Sequence, residues 1–242
     1  MDIFCWNIRG FNCKIKRRGF RKWLKANQPI FGGLLETHVS HVKTSRIIQG
    51  VFPGWHFECN YEFSDLGKIW LLWHPSVKVS VFHKSLQSIS CFFNLPFVST
   101  QLAVTMVYGS NCRKVRKQLW ADLNFLTTSP SVSGSPWSVL GDFNQILIAH
   151  EHSTGDQFTS TRGMREFMQC THNTQLQDLI FYGNSFTWTN NQGDGVISKK
   201  LDRILVNDNC HAFLMWVAHL DGLPTRSRIA SWGFRSNRIA AS

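Results

Sequence analysis

Polar side chains that can hold a phosphate or a metal ion follow several apolar, strand-like runs in this sequence. The clearest case is residues 137–145, WSVLGDFNQ, where Asp142 and Asn144 follow a predicted buried strand and Gly141. If the chain turns sharply at Gly141, the two side chains, two residues apart on an extended backbone, face the same way at the mouth of a sheet. A carboxylate and an amide there can orient a nucleophilic water and hold a phosphoryl oxygen. The alternative is a turn in which both residues only cap a helix.

A second carboxylate, Glu36, follows the predicted strand at residues 30–35. In an α/β sheet, ligands commonly bind at the carboxyl ends of the strands. Mg²⁺ prefers one or two carboxylates together with substrate phosphate and water, so Glu36 can serve as an oxygen ligand of such an ion. The alternative is a surface glutamate that caps the following segment, and this residue alone leaves both interpretations open.

Three more polar residues accompany other predicted strands. Tyr108 and Asn111 flank a Gly-Ser turn after the strand Gln101–Tyr108. Both can donate to a phosphate, although a tyrosine in such a place more often packs with its hydroxyl in water. Asp202 interrupts an otherwise apolar strand at residues 198–206. An acid there costs free energy unless it is paired or faces a site, and we expect it to face the site.

The remaining pattern predicts the elements that position these residues. A strand at residues 2–6 ends on Asn7, and Lys14–Asn27 has helical spacing of its apolar residues until Pro29 ends it. The other face of that helix is basic, which usually means a solvated face and less often one that meets phosphates. Further strands are predicted at 55–61, 68–74, 77–82, 88–95, 176–180 and 185–189, and further helices at 114–126 and 162–172, the last with Thr161 as N-cap.

Composition bounds the class of protein. The chain has 242 residues, of which 43% are hydrophobic, which suits one α/β domain with a substantial core. There are 26 Lys and Arg against 15 Asp and Glu, a net charge of +11 that favours nucleic acid over a membrane as partner, unless the protein is simply basic. Seven scattered cysteines without a C-x-x-C pair suit free thiols in a reducing compartment. We expect an intracellular protein without a signal peptide or membrane span.

Six short motifs follow one another in a fixed order. They are WNIRG at 6–10, LLETH at 34–38, VYGSN at 107–111, LGDFNQ at 140–145, SFTWTN at 185–190 and KLDRILV at 200–206. Together they resemble the endonuclease/exonuclease/phosphatase superfamily, whose members have the DNase I-like fold. The chain is most similar to the apurinic-type endonuclease domain of plant LINE (non-LTR) retrotransposons, and the resemblance covers the chain up to about residue 220.

The resemblance implies an α/β fold, a DNase I-like two-sheet β-sandwich flanked by helices, over residues 1–220, with 221–242 as an atypical tail. It implies a magnesium-dependent DNA phosphodiesterase, working with Mg²⁺ or Mn²⁺ held by Asn7 and Glu36, that grips the phosphate backbone and acts in the nucleus. Five more residues would serve the phosphate and the attacking water: Tyr108, Asp142 and Asn144 directly, Asn111 on the phosphate, and Asp202 in support. Arg9 stands where repair relatives often have an acid, as in the retrotransposon branch.

One family feature is absent from the sequence. The family ends with a Ser-Asp-His motif and one more apolar strand, whereas residues 220–231 read LDGLPTRSRIAS and contain neither. His219 with Asp221 is a possible substitute, but in reversed order. Because an Asp-His pair that acts in the transition state supplies orders of magnitude in rate, we expect a truncated copy that is weak or inactive. The alternatives are a non-catalytic nucleic-acid-binding remnant and a phosphatase for a small molecule or lipid.

Overall fold

Two mixed β-sheets form the centre of the molecule. The computed structural model describes residues 3–94, 100–130, 132–155, 159–180, 183–190 and 195–212. The strands of the first sheet are β1 (Ile3–Asn7), β2 (Phe31–Leu35), β3 (His56–Cys59) and β4 (Ile69–Trp73), and their order is β1-β2-β4-β3. The strands of the second sheet are β5 (Lys78–Lys84), β6 (Ser88–Asn94), β7 (Gln101–Tyr108), β8 (Trp137–Asp142), β9 (Gln177–Asp178) and β12 (Asp202–Val206), in the order β5-β6-β7-β8-β12-β9. A separate hairpin pairs β10 (Trp188–Thr189) with β11 (Ser198–Lys199).

Four helices cover the outer faces of the two sheets. They are α1 (Lys14–Asn27), α2 (His41–Val51), α3 (Arg113–Thr128) and α4 (Arg162–Thr174). An apolar cluster that includes Phe20, Ile48 and Trp70 joins α1 and α2 to the first sheet. A second cluster, with Leu123 and Phe167, joins α3 and α4 to the second sheet. The inner faces of the sheets share a third cluster, so the fold is a two-sheet sandwich flanked by helices, as predicted.

Parallel strand pairs decide where the site can form. β1 runs parallel to β2 in the first sheet, and β7 runs parallel to β8 in the second. The carboxyl ends of a parallel pair lie at the same edge of a sheet. Asn7 ends β1, Glu36 follows β2, Tyr108 ends β7 and Asp142 ends β8, so each sheet presents two polar residues at one edge.

Several predicted elements are confirmed by the structure. The helix Lys14–Asn27 and the strand Gln101–Tyr108 have the predicted bounds. Thr161 caps α4 by accepting a hydrogen bond from the backbone NH of Met164. α1 ends because Gln28 takes a left-handed conformation just before Pro29, and proline cannot continue a helix.

Two local predictions were wrong. The strand does not stop at Gly141: β8 continues through it to Asp142, and Gly141 pairs with Val107 and Arg203 inside the sheet. Residues 198–206 do not form one strand, because β11 pairs with β10 and β12 with β8, with Lys200 and Leu201 between them. Asp202 is therefore the first residue of a strand and does not interrupt one.

The predicted loss of the last family strand concerns residues outside those that the structure describes. The same holds for His219, Asp221 and the tail at 221–242.

Candidate active site

A cavity of about 670 Å³ opens at the end of the sandwich where the parallel strands terminate. It brings together six of the seven residues singled out in the sequence: Asn7, Glu36, Tyr108, Asn111, Asp142 and Asn144. The seventh, Asp202, lies beside them, because it pairs with Asp142 across β12 and β8, while the adjacent Leu201 lines the cavity. We call this cavity the cleft.

Asp142 is a carboxylate of the cleft that two hydrogen bonds hold in place. Its Oδ2 accepts a hydrogen bond of 2.8 Å from the side-chain amide of Asn7, and its Oδ1 accepts one of 2.8 Å from the backbone NH of Asn144. Asp142 is buried, with 4% of its surface exposed. Each oxygen keeps a further lone pair, so the carboxylate is fixed in orientation and can still accept from a water in the cleft.

Burial raises the pKa of Asp142, and the hydrogen bonds from Asn144 and Asn7 oppose that rise. Burial also raises the pKa of Asp202, and the charge of nearby Asp142 adds to the effect. Two carboxylates this close cannot both ionise freely, because like charges disfavour each other in a medium of low dielectric constant. The pair therefore holds a proton more tightly than an exposed aspartate does.

The backbone at the Asp142 turn differs from the extended geometry expected from sequence. Asn144 has a positive φ of 49°, and its side-chain NH₂ donates a hydrogen bond of 2.7 Å to the carbonyl of Gly109. Asn144 therefore reaches the cleft from a left-handed turn, and its hydrogen bond to Gly109 connects this turn to the loop after β7. Arg9, Glu36 and His38 also have positive φ. Such conformations cost free energy for residues other than glycine, and they concentrate at functional sites.

Glu36 and Asn7 form the part of the cleft that suits a metal ion. The Glu36 carboxylate lies 3.9 Å from Arg9 Nε and 3.4 Å from His38 Nε2. Asn7 Oδ1 is buried and has no hydrogen-bond partner among the described residues, although its NH₂ group is used by Asp142. A buried amide oxygen without a partner is costly unless something else satisfies it.

These oxygen donors fit a hard cation such as Mg²⁺ or Mn²⁺ better than a softer transition metal such as Zn²⁺. Across the described ranges, no group of three or more His, Cys, Asp or Glu could hold a metal. Mg²⁺ needs no such cage, since it binds through one or two protein oxygens together with water and substrate phosphate. The Glu36 carboxylate and the free Asn7 oxygen match that requirement.

Tyr108 presents a neutral hydroxyl to the cleft. Burial raises the pKa of this hydroxyl above its ordinary value, and the charges of Glu36 and Asp142 raise it further. Lys68 Nζ lies 5.4 Å from the centre of the ring and helps to hold it in place. The hydroxyl therefore keeps its proton at neutral pH and can donate it in a hydrogen bond.

Two buried residues that the sequence analysis did not identify fix the loop after β7, which carries Asn111. Gln87 Oε1 accepts a hydrogen bond of 2.6 Å from the NH of Ser110. Gln87 Nε2 donates one of 3.0 Å to the carbonyl of Val115. Arg116 Nη1 donates a hydrogen bond to the carbonyl of Ser110. Arg116 Nη2 donates another, of 2.7 Å, to Gln145 Oε1. Both peptide groups that flank Ser110 are thus held from inside the protein.

The rest of the cleft wall comes from residues to which the sequence analysis gave no catalytic role. Trp188 on β10 and Lys199 on β11 form one side, with Lys199 Nζ 5.7 Å from the Trp188 ring. Trp188 belongs to the motif SFTWTN, and Lys199 directly precedes the motif KLDRILV. Nothing in the sequence shows that the hairpin lines the cleft. The remaining lining residues are Arg9, Gln145, Ile146, Thr161 and Leu201.

Comparisons with known proteins identify the family and support the fold. A model of the Endonuclease/Exonuclease/phosphatase family matches residues 4–223, so the chain belongs to this family. No curated protein matches the chain.

Solved structures show the same fold at low identity. The endonuclease domain of TRAS1, a telomere-specific non-LTR retrotransposon, is 9% identical over 86% of this chain and 85% of that one, with a TM-score of 0.63. The AP endonuclease LMAP from Leishmania major is 14% identical over 87% and 80%, with a TM-score of 0.61. TDP2 from D. rerio, solved with a single-strand DNA product, is 14% identical over 85% and 82%, with a TM-score of 0.56. These likenesses establish a DNase I-like fold.

A membrane span was not expected from sequence. Among the helices in the described part of the chain, none combines the length and the apolar character that crossing a bilayer requires.

Proposed function

We propose that this chain is a retrotransposon-derived phosphodiesterase of the plant LINE type, which cleaves the backbone of DNA in the nucleus with Mg²⁺ or Mn²⁺. The observation that carries the proposal is Asp142, whose two oxygens are oriented by Asn7 and Asn144. The Oδ1 of Asn7 lies next to it and has no partner within the described part of the chain. The net charge of +11 supports a polyanionic substrate. A phosphate backbone is the part of DNA that such a surface can grip without reading bases.

The chain's own residues divide the chemistry between them. Asp142 orients the attacking water and accepts its proton, which its raised pKa favours. Tyr108 donates its hydroxyl hydrogen to a phosphate oxygen, and the side chain of Asn111 holds a second one. Asp202 supports Asp142 from the neighbouring strand. Asn144 keeps the Asp142 turn and the loop after β7 in register through its bond to Gly109.

A divalent ion would be held by Glu36 and by Asn7 Oδ1. When bound, it supplies positive charge that neutralises the phosphate oxygens as negative charge develops in the transition state. Arg9, which lies 3.9 Å from Glu36, adds a fixed positive charge at the same edge of the cleft.

We propose further that cleavage is slow. None of the described residues that line the cleft is a histidine; His38 lies at its edge, paired with Glu36. Residues 220–231 lack the Ser-Asp-His motif of the family. General acid-base groups of this kind typically contribute 10²- to 10⁴-fold, so we expect a rate lower by about that factor. The same observation favours a second candidate, a protein that binds DNA and does not cut it.

Nicking of supercoiled plasmid with Mg²⁺ tests the proposal. We expect slow nicking by the native chain, abolished by EDTA and reduced at least ~100-fold by Asp142→Asn or Glu36→Gln. The matched controls change the same groups away from the cleft: Asp208→Asn at an exposed position, and Glu58→Gln at a half-buried position where Glu58 pairs with Lys84. Equal nicking by Asp142→Asn and the native chain would refute the catalytic assignment. Salt-sensitive DNA binding without any nicking would favour the second candidate.

A restored variant separates a slow enzyme from a binding remnant. Ser-Asp-His followed by an apolar strand would replace the stretch at 220–231. If the rest of the site is competent, the restored chain nicks faster than the native one, and Asp142→Asn in the restored chain removes the gain. If the restored chain folds and binds DNA but still does not nick, the site is not competent and the binding role stands.

A further inference from the structure

The outer face of α1 carries a row of positive charge that the cleft chemistry does not use. Helix α1, KIKRRGFRKWLKAN, contains seven Lys and Arg and no acidic residue. Five of them follow one another at helical spacing and are all exposed: Lys14, Arg18, Arg21, Lys22 and Lys25. At 1.5 Å per residue this row is about 16 Å long. We call it the α1 stripe.

The stripe is not neutralised by the parts of the chain that the structure describes. None of the seven cations of α1 makes an ion pair with another described residue. The neighbouring helix α2 contains two further cations, Lys43 and Arg46, and no acid. Like charges at i and i+4, such as Arg18 and Lys22, destabilise a helix. The free protein therefore keeps a repulsion that a bound polyanion would relieve.

The helical layer on the other sheet is different. There Glu166 on α4 lies 2.5 Å from Arg113, 3.5 Å from Lys117 and 3.5 Å from Arg162. Several cations of α3 and α4 are thus paired within the protein. Among the described residues, unpaired positive charge is concentrated on the α1 side of the sandwich.

Helix α1 is also tied to the lip of the cleft. Lys16 Nζ donates a hydrogen bond of 3.0 Å to the carbonyl of Ile8 and another of 2.8 Å to the carbonyl of Arg9. Arg9 is one of the residues that line the cleft. The side chain of Asn12, just before the helix, donates a hydrogen bond of 2.7 Å to the carbonyl of His38. The stripe therefore begins close to the site and leads away from it.

We propose that the α1 stripe binds the phosphate backbone of duplex DNA beyond the scissile phosphate, as an extension of the cleft. This inference rests on the proposed function, because it assigns the same DNA to both surfaces. Duplex DNA carries one charge per about 1.7 Å of its axis, so a row of about 16 Å meets several phosphates. Contacts of this type carry no base specificity, and they position the substrate.

Salt-dependent binding of a duplex of about 30 bp, measured by fluorescence anisotropy, tests the inference. The stripe variant is Arg18→Gln, Lys22→Gln and Lys25→Gln, because these three side chains make no hydrogen bond within the described part of the chain. The control variant removes the same charge elsewhere: Lys78→Gln, Lys117→Gln and Arg165→Gln. The stripe variant should lower the slope of log affinity against log salt by about 2 to 3, since each lost phosphate contact removes about 0.9. The control should lower it by less than about 1.

A short duplex and the nicking rate sharpen the test. On a duplex of about 8 bp that fills only the cleft, the stripe variant and the native chain should bind alike. The stripe variant should raise the KM for plasmid nicking and leave kcat unchanged, and its Tm should not fall. Equal effects of the stripe and control variants, or no DNA binding by the native chain, would overturn the inference. Nicking with no stripe effect overturns the inference and leaves the proposed function standing. A stripe effect without nicking supports DNA binding by the stripe and rejects the cleavage part of the proposed function.

Discussion

Asp142 and Asp202 lie directly opposite each other in the antiparallel pair formed by β8 and β12. The sequence separates them by 60 residues, and only the sheet register brings them together. The carboxylate of Asp142 accepts hydrogen bonds from Asn7 and Asn144. The backbone NH of Asp202 donates a hydrogen bond of 3.0 Å to Thr187 Oγ1. Asp142 lines the cleft, and Asp202 lies beside it on the next strand.

This pairing predicts a pH-dependent stability. Burial and the charge of Asp142 raise the pKa of Asp202 to about 7, compared with about 3.9 for an unperturbed aspartate. The folded state thus binds a proton that the unfolded state has lost, so the stability contributed by this group is fully present below about pH 4 and is lost as pH rises through about 7. Asp202→Asn removes that loss. We expect Asp202→Asn to gain stability relative to the native chain by on the order of a few kcal/mol between pH 4 and pH 8.

Urea unfolding at the two pH values, without divalent metal, measures this difference. Asp208→Asn is the control, because it makes the same change of side chain at an exposed position away from the two paired acids. A stability difference between Asp202→Asn and the native chain that does not grow with pH would contradict the coupling of the two acids.

Gly141 should tolerate no side chain. It has a φ of 142°, and a Cβ placed on it would lie 2.0 Å from the carbonyl oxygen of Val107 in the paired strand β7. Gly141→Ala must therefore displace backbone next to Asp142, and we expect a loss of about 3 kcal/mol or more in the free energy of unfolding. The control is Gly54→Ala, where φ is 78° but no atom lies within 4 Å, with an expected cost of about 1 kcal/mol. Equal losses in the two variants would show that the close approach of β7 and β8 does not matter.

Gln87 should affect catalysis without touching the substrate. Gln87→Met removes both of its side-chain bonds, which leaves the NH of Ser110 unsatisfied and removes the link from Gln87 to the carbonyl of Val115 in the first turn of α3. We expect plasmid nicking to fall about 10-fold, because Asn111 loses its fixed position. Gln169→Met is the control, since Gln169 is exposed and, among the described residues, its side chain bonds to the equally exposed Asn173 of the same helix.

A double-mutant cycle distinguishes positioning from general destabilisation. If Gln87 acts through Asn111, Asn111→Ala costs less activity in the Gln87→Met background than in the native chain. Fully additive losses would assign to Gln87 a structural role alone.

The elements that were predicted well are those in which local and tertiary preferences agree. α1 shows helical spacing of Phe20, Trp23 and Leu24 and is followed by Pro29, so its bounds follow from the sequence alone. Most candidate site residues stood out because polar side chains follow apolar strands, whereas the role of Asn7 was implied only by the family resemblance. Which of them meet depends on the parallel pairing of β1 with β2 and of β7 with β8, and no single motif encodes that pairing.

The features that were missed depend on long-range contacts. α2 contains Val42, Thr44, Ile47 and Ile48, β-branched residues that favour strands locally, and it forms a helix because its buried face packs on the first sheet. Gln87 and Arg116 carry no motif, and their importance appears only when Ser110 is seen between them. Gly141 was interpreted as a turn because glycine usually marks one, but here it allows two strands to approach closely.

Manganese binding tests the central claim most directly, because it does not depend on the rate of cleavage. Crystals soaked in about 10 mM MnCl₂ and measured at the manganese absorption edge would locate the ion by its anomalous signal. We expect one strong peak within coordination distance, about 2.0–2.3 Å, of the Glu36 carboxylate and of Asn7 Oδ1, lost in Glu36→Gln and kept in Glu58→Gln. A peak elsewhere in the molecule with none between Glu36 and Asn7 would contradict the account.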